Sequence, residues 1–404
     1  MYQPAPKPAR LVSVDAYRGF VMFLLLAESL RLPAVAKQFP DNDVWKVIGF
    51  HTSHVEWAGC SLHDLIQPSF SFLVGVAVPF SIASRLAKGH GFGRMFGHAI
   101  WRAFLLVALG ILLRSQHTKI TNFTFEDTLT QIGLGYVFLF LLGFVRNVLW
   151  LWVAVGVLLG GYFAAFALSP LPGPEFDYAA VGVMPDWPHH YDGFLAHWNK
   201  NGNAAWKFDT WFLNLFGRES EFLFNRGGYA TLSFIPTLAT MVLGLIAGRW
   251  LHEGFGRGGL LLRLVLAGLV CLGLGYGLEV GGINPIVKRI WTPAWTLYSG
   301  GICFLILAGF WLVFDGGSPL RVLAFPLVVI GANSIFIYCL YETATPWLEQ
   351  QIKANAALLF RIEWWREKAA EWSVYEPIVR GAVVILIYWL VLVWMYAKRV
   401  FVKI

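Results

Sequence analysis

Residues 51–85, "HTSHVEWAGCSLHDLIQPSFSFLVGVAVPFSIASR", begin with titratable side chains and end as a long apolar run. Three histidines, a glutamate and an aspartate fall within the first fourteen residues. His54 can exchange a proton near neutral pH, and a carboxylate within its reach, such as that of Asp64, would fix its tautomer and raise its basicity. These residue types are compatible with a general base and its partner, although a histidine at a membrane edge is more often structural than catalytic. A structural interpretation stays open, because Ser61 and Asp64 also form the S-x-x-D pattern of a helix capping box.

Asp15 and Arg18 are charged residues in another apolar run, "SVDAYRGF". They are three residues apart, hence on one helix face and within pairing distance. A charge at the centre of a membrane helix costs about 2.5–3.5 kcal/mol, so such residues need a partner or a function. Arg18 is available for a phosphate group, or the two form a structural ion pair. Further polar residues in apolar stretches are Glu28, Gln131, Asn333, Tyr338 and Glu342.

Tryptophan and amide side chains are mixed in "HWNKNGNAAWKFDTWFLNLF", residues 197–216. Aromatic rings beside amides suit stacking on sugar rings. The same string suits an amphipathic helix whose tryptophans lie among lipid headgroups. Both interpretations remain open from the sequence.

The composition is that of a polytopic membrane protein. Hydrophobic residues make up 57% of the chain and charged residues 14%, whereas soluble domains have roughly 45–50% and about 25%. The formal net charge is +7, but the basic residues are scattered between apolar runs, which indicates topology control and argues against a nucleic-acid partner. The four cysteines have no spacing typical of a metal site, and we expect free thiols.

Ten apolar stretches are long enough to cross a hydrocarbon core about 30 Å thick, which takes about 20 helical residues. We place them at 13–32, 61–84, 98–114, 127–145, 147–168, 229–250, 259–279, 293–314, 322–341 and 377–397. The sequence therefore predicts an all-α transmembrane bundle in a single domain, 1–404. Its one long loop, 169–228, separates five helices from five.

The short loops predict the orientation. Basic loops stay cytoplasmic, and "SRLAKGHGFGR", "GRWLHEGFGRGGLLLR", the N-terminal "KPAR" and the tail "AKRVFVKI" are all basic. Both termini are then cytoplasmic, and the loop 169–228 is extracytoplasmic. His54 is expected at the outer face, immediately before the second span.

Five motifs together resemble the heparan-α-glucosaminide N-acetyltransferase family in order and spacing. They are "RLVSVDAYRGF", "HVEWAGCSLHDLIQPSFSFLVGVAV", "GGYATLSFIPTLATMVLGLIAGRW", "NPIVKRIWTPAWTLYSGG" and "GANSIFIYCLYE". The resemblance runs from about residue 10 to 345 and is greatest to bacterial members, which implies an inner-membrane location. It implies transfer of an acetyl group from cytosolic acetyl-CoA to an amino sugar across the membrane, with no metal, and a homodimer is a reasonable expectation.

The resemblance also assigns residues. The family's catalytic histidine falls on His54, three residues before Trp57, and its aspartate falls on Asp64. Acceptor-side positions fall on Trp57, Lys288, Asn333, Ser334, Tyr338 and Glu342. The chain departs from the family at Gln131, where an arginine is common, and at Ala58, where an asparagine is common. Glu28 supplies a carboxylate near the position of another family asparagine, beside the expected acceptor site, and is counted with the acceptor-side residues.

We expect basic groups at the inner helix ends to hold the acetyl-CoA phosphates. The three arginines are the candidates for phosphate contacts, since guanidinium groups suit phosphate geometry. The full set of predicted donor-side residues is Asp15, Arg18, Arg85, Arg102 and Gln131. His54 would take a proton from an acceptor amine or hydroxyl, while Asn333 or Tyr338 bonds the oxyanion. An acetyl-histidine intermediate is the other route. A transporter or flippase for an envelope sugar is the alternative function, because paired helix bundles with buried polar groups also suit transport.

Overall fold

The computed structural model describes residues 11–317, 319–359 and 373–402. Within these ranges the chain is mainly helical and has no β-strand, only an isolated antiparallel bridge between Ala58 and Val287. The α-helices of these ranges are α1 (Val12–Ala27), α2 (Leu32–Ala36), α3 (Asp43–His51), α4 (Ile66–Leu86), α5 (Phe92–Arg114), α6 (Thr128–Leu142), α7 (Val148–Ala167), α8 (Ala204–Phe212), α9 (Phe234–Glu253), α10 (Arg257–Val280), α11 (Pro293–Phe314), α12 (Phe325–Ala332), α13 (Ser334–Leu359) and α14 (Glu376–Ala397).

Seven helical segments of the described ranges are long and apolar enough to cross a membrane. They are His63–Leu86, Phe92–Arg114, Val148–Ala167, Thr231–Glu253, Arg257–Val280, Pro293–Phe314 and Ser373–Ala397. All ten predicted stretches fall on helices, but α1 has 16 residues and α6 has 15, fewer than the roughly 20 that a full crossing takes. The count of ten spans and the cytoplasmic termini stay predictions. The basic residues 7–10 used to orient the chain lie outside the described ranges.

The ninth predicted span is not one straight helix. Leu320–Ala332 and Ser334–Asn355 meet at an angle of 64°. Asn333 is the break: its backbone leaves the helical region, with φ −129° and ψ 41°. Its side chain donates to the carbonyl of Val400 at 3.1 Å and accepts from the amide of Val402 at 2.9 Å. These side-chain bonds tie the break to the C-terminal segment.

The chain folds into two compact units. The first contains Glu56–Gly59 and Gln67–Gly309, and the second contains Leu11–Val55, Cys60–Ile66 and Phe310–Ile404. The loop 169–228 thus lies within the first unit. In the second unit α1 groups with the C-terminal helices, an arrangement that apolar periodicity does not indicate.

Close helix crossings in the first unit depend on glycine. A side-chain carbon at Gly75 of α4 would collide with the carbonyl of Met241 in α9, and one at Gly244 would collide with the carbonyl of Phe72. Small residues at such positions let helix backbones pack directly against each other. Three helices of this unit, α6, α7 and α8, begin with Asp or Asn caps, and Asp127 accepts from the first amides of α6.

The second unit is built on α1. Gly19 of α1 meets the backbone of Leu327 in α12, and Gly331 of α12 meets the backbone carbonyl of Asp15. At the other end of α1, Gly381 of α14 packs on the backbone of Ser29. The short 3-10 turn Glu28–Leu30 that follows α1 is therefore held against α14.

Candidate active site

His54 lies three residues beyond the end of α3, in the second unit. Its Nδ1 is 3.0 Å from Oδ1 of Asp64, which begins the approach to α4 in the turn His63–Leu65. The His54 side chain is 40% exposed, whereas that of Asp64 is 0% exposed. The structure thus brings together the two residues that the resemblance assigns as the catalytic histidine and its aspartate, an accessible imidazole on a buried carboxylate.

The buried carboxylate of Asp64 is held by backbone donors. Its Oδ2 accepts from the amide of Val55 at 3.2 Å and from the amide and hydroxyl of Ser61 at 3.0 and 2.9 Å. Ser61 Oγ also lies 3.3 Å from the Asp64 amide, which completes the reciprocal pattern of a capping box. The capping interpretation of Asp64 is therefore confirmed at one carboxylate oxygen, while the other oxygen lies against His54, and its role there stays a prediction.

This arrangement fixes the chemistry of the ring. An ionised carboxylate only accepts hydrogen bonds, so the neutral imidazole of His54 carries its proton on Nδ1. Its Nε2 then has the lone pair and is the atom that can take a proton. Oε1 of Glu28 is 3.7 Å from this Nε2.

Tyr341 is a contributor that the sequence reasoning missed. Its hydroxyl donates to Oε2 of Glu28 at 3.4 Å. Its position in the sequence could have indicated it, because Tyr341 lies one helical turn after Tyr338 and next to Glu342 in "YCLYE". Only Tyr338 and Glu342 matched the positions of the family motif.

The other two histidines of the opening segment have different environments. His63 is buried, and its Nε2 donates to the carbonyl of Leu24 at 3.1 Å. The rings of His54 and His63 have their centroids 6.2 Å apart. His51 is the last residue of α3 and is exposed.

Of the acceptor-side residues of the last motif, Asn333 lies at the opposite end of α1 from Glu28. Its neighbour Gly331 packs on Asp15, and Asp15 and Glu28 are about 20 Å apart at 1.5 Å per residue. Ser334 begins α13 beside it. Tyr338 and Glu342 follow on α13 and are partly buried. The structure thus brings Glu28 to His54 but does not bring Asn333 there.

Asp15 and Arg18 form the expected pair, with Arg18 Nη1 3.4 Å from Asp15 Oδ1. At the same end of α1, the backbone amides of Val12 and Ser13 donate to the carboxylate of Asp315 at 3.2 and 2.8 Å. These contacts are compatible with either interpretation of the pair.

The remaining donor-side residues lie in the first unit and have protein contacts. Arg85 Nη2 is 3.0 Å from Nε2 of His98, and Arg102 donates to the hydroxyl of Tyr136 at 3.0 Å. Gln131 is buried, and its amide group donates to the carbonyl of Phe125 at 2.7 Å, with longer contacts to the carbonyls of residues 230 and 231. Gln131 thus connects backbone segments where the family commonly has a cation.

Trp57 and Lys288 also lie in the first unit. Trp57 is 0% exposed and belongs to a buried apolar cluster with Tyr162 and Trp198. The bridge from Ala58 to Val287 connects the segment of Trp57 to that of Lys288, which is itself buried. Trp57 therefore has a packing role within its unit.

The tryptophan- and amide-rich loop is held together by its own polar groups. Asn203 caps α8, and Asn201 donates to the carbonyl of Val181 at 2.8 Å. Trp198 is buried, whereas Trp211 is 61% exposed. Burial raises the pKa of Asp209 to about 7. The asparagine side chains therefore stabilise the loop. Of the two tryptophans, only Trp211 is exposed enough to lie among lipid headgroups.

No group of three or more His, Cys, Asp or Glu side chains in the described ranges is arranged to hold a metal ion. The four cysteines, at 60, 271, 303 and 339, all lie in the described ranges and form no disulfide, in agreement with the sequence.

Comparison with known proteins supports the resemblance of the motifs, although no family model matches the chain. Heparan-alpha-glucosaminide N-acetyltransferase from Homo sapiens is 24% identical over 83% of this chain and 53% of the human protein. The protein of the same name from Mus musculus is 23% identical over 100% of this chain and 62% of the mouse protein. The chain thus spans between half and two thirds of the length of these relatives. It is related at the level of the family to the heparan-alpha-glucosaminide N-acetyltransferases.

Proposed function

We propose that this chain is a membrane-embedded acetyltransferase that moves an acetyl group from acetyl-CoA to an amino sugar or glycan acceptor, with His54 as the general base. The observation that carries the proposal is the pair in which Asp64 holds Nδ1 of an exposed His54 at 3.0 Å. The names of the two relatives support the reaction type. A transporter has no need for such an oriented base.

In the proposed reaction, Nε2 of His54 removes a proton from the acceptor nitrogen or oxygen as that atom attacks the thioester carbonyl. A bond from the acceptor to the acetyl carbon forms, the carbon–sulfur bond breaks, and its electron pair stays on sulfur. His54 then delivers its proton to the thiolate, which leaves as CoA. Asp64 remains ionised, keeps the ring oriented and stabilises the imidazolium while it exists.

The donor end of the site is part of the proposal. Arg18 is the residue proposed to contact the acetyl-CoA phosphates from the cytoplasmic side, because its planar guanidinium group suits phosphate geometry. The assignments of Arg85 and Arg102 to the same role stay predictions from the sequence.

The test is acetyl-CoA binding and slow hydrolysis by purified protein in detergent, comparing wild type with His54→Ala and His51→Ala. His51 is the matched control, because it is an exposed histidine on the same segment outside the proposed pair. We expect all three proteins to bind acetyl-CoA and only His54→Ala to lose turnover, by about 10²–10⁴-fold. No binding by wild type, or equal turnover in all three, would contradict the proposal.

A further inference from the structure

Glu28 places a second carboxylate at His54, on the other side of the ring from Asp64. Its Oε1 is 3.7 Å from Nε2, while Asp64 is 3.0 Å from Nδ1. The Glu28 side chain is 35% exposed. The carboxylate that faces the reactive nitrogen is therefore accessible, whereas the one behind the ring is buried.

The position of Glu28 is fixed from two sides. Tyr341 donates to its Oε2 at 3.4 Å. The backbone of the next residue, Ser29, packs directly on Gly381, where a side-chain carbon would collide with it. The carboxylate is thus held by neighbouring helices of the same unit and does not depend on a flexible loop.

The number of protons that an acceptor must lose distinguishes one general base from two. A hydroxyl loses one proton when it is acetylated, and His54 can take it. A primary amine is mostly an ammonium ion at neutral pH, so it must lose one proton to become a nucleophile and a second as the amide forms. An ammonium group also has three N–H donors, enough to bind both the Glu28 carboxylate and Nε2 of His54.

We propose that Glu28, held by Tyr341, is the residue that selects the acceptor: it binds the ammonium form of a primary amine and takes its first proton. This inference rests on the proposed acetyltransferase function. The ammonium N–H bond breaks, its electron pair stays on nitrogen, and the proton passes to Glu28 and then to water. The resulting amine attacks the thioester, and His54 moves the second proton to the departing sulfur.

Glu28→Gln tests the proposal, because it keeps the size of the side chain and removes the charge. The two probes are glucosamine, an ammonium ion at neutral pH, and hydroxylamine, a nitrogen nucleophile that is neutral there. At about pH 6.5 we expect kcat/KM for glucosamine to fall by about 10–100-fold, the range for loss of a hydrogen bond to a charged group. The loss of the negative charge beside Nε2 of His54 acts on both probes alike, so transfer to hydroxylamine should fall by at least about 10-fold less than transfer to glucosamine.

The pH profile separates this role from a structural one. Without Glu28 the reaction depends on the free amine in solution, so the loss with glucosamine should shrink to a few-fold at about pH 9. Tyr341→Phe should give a smaller loss with the same pH dependence. The control is Asp43→Asn, an exposed carboxylate on α3 paired with Lys46, for which we expect no change with either probe.

An equal loss with both acceptors at every pH would overturn the role of Glu28, while His54-dependent hydrolysis of acetyl-CoA would still support the proposed function. If Glu28→Gln also loses acetyl-CoA hydrolysis, the second variant is Glu28→Asp, which restores the negative charge. Recovery of glucosamine transfer with the wild-type pH profile in this variant supports the proposal, and no recovery overturns it. Failure of wild-type protein to use acetyl-CoA at all would instead count against the acetyltransferase function.

Discussion

The sharpest test of the His54–Asp64 pair is Asp64→Asn, which changes one atom in a fixed hydrogen-bond frame. Two amides, those of Val55 and Ser61, donate to Oδ2 of Asp64. They would bind the amide oxygen of the asparagine, so its NH₂ group would face Nδ1 of His54. A donor at that position requires Nδ1 to be the acceptor, which moves the ring proton to Nε2. The ring would then present the wrong tautomer to the acceptor.

The size of the effect follows from the geometry. Unit charges 3.0 Å apart attract by about 5 kcal/mol at an effective dielectric constant of about 20. Because the His54 side chain is 40% exposed, water screens part of this attraction, and we take about 3–5 kcal/mol. At 1.36 kcal/mol per tenfold in rate, this corresponds to a loss of about 10²–10⁴-fold in turnover.

The assay is the His54-dependent release of CoA from acetyl-CoA, with binding of acetyl-CoA measured in parallel. Asp64→Asn should bind the donor normally and lose turnover. Ser61→Ala is the control: it removes the contacts of the Ser61 hydroxyl with Oδ2 of Asp64, the carbonyl of Ser53 and the amide of Asp64, but leaves the carboxylate and both amides that bind it. Turnover should then fall by less than about 10-fold, roughly 1 kcal/mol. Turnover above about one tenth of wild type in Asp64→Asn would refute the orienting role of Asp64.

Two further predictions concern residues away from the pair. Burial raises the pKa of Asp209 from 3.8 to about 7, so this group stabilises the folded state fully below about pH 4 and the stabilisation, up to about 4 kcal/mol, is lost as the pH rises towards 7. Asp209→Asn should flatten the fall of Tm between about pH 4 and 7, and an unchanged slope would contradict this assignment. Asn333→Leu removes the bonds to Val400 and Val402 and should lower Tm by several degrees, about 1–3 kcal/mol, while CoA release by the folded protein changes by less than about 3-fold. A 100-fold loss of CoA release at unchanged Tm would instead support the oxyanion role predicted from the sequence for Asn333.

Much of the fold class follows from the sequence. Every predicted apolar stretch falls on a helix, because a chain that buries its backbone in lipid must satisfy its own hydrogen bonds. The lengths of the individual spans were less predictable. The helix over 322–341 breaks at Asn333, where a side chain bonds to the chain's own C-terminal segment, and no local pattern indicates that partner. The grouping of α1 with α12 likewise depends on long-range backbone contacts at Gly19 and Gly331.

The candidate site shows the same division. Residue types and a short spacing predicted the pairing of His54 with Asp64, since both lie on one loop that leads into α4 and their reach is local. Glu28 approaches Nε2 of His54 from the far end of α1, and Tyr341 bonds to Glu28 from 313 positions away in the chain, so only tertiary structure could place them. Asn333 matched the family motif but is not near His54, because a sequence motif does not indicate which end of a neighbouring helix its residues pack against. Local chemistry was readable in the sequence, and the packing of α1 against the C-terminal helices decided which polar residues share the site.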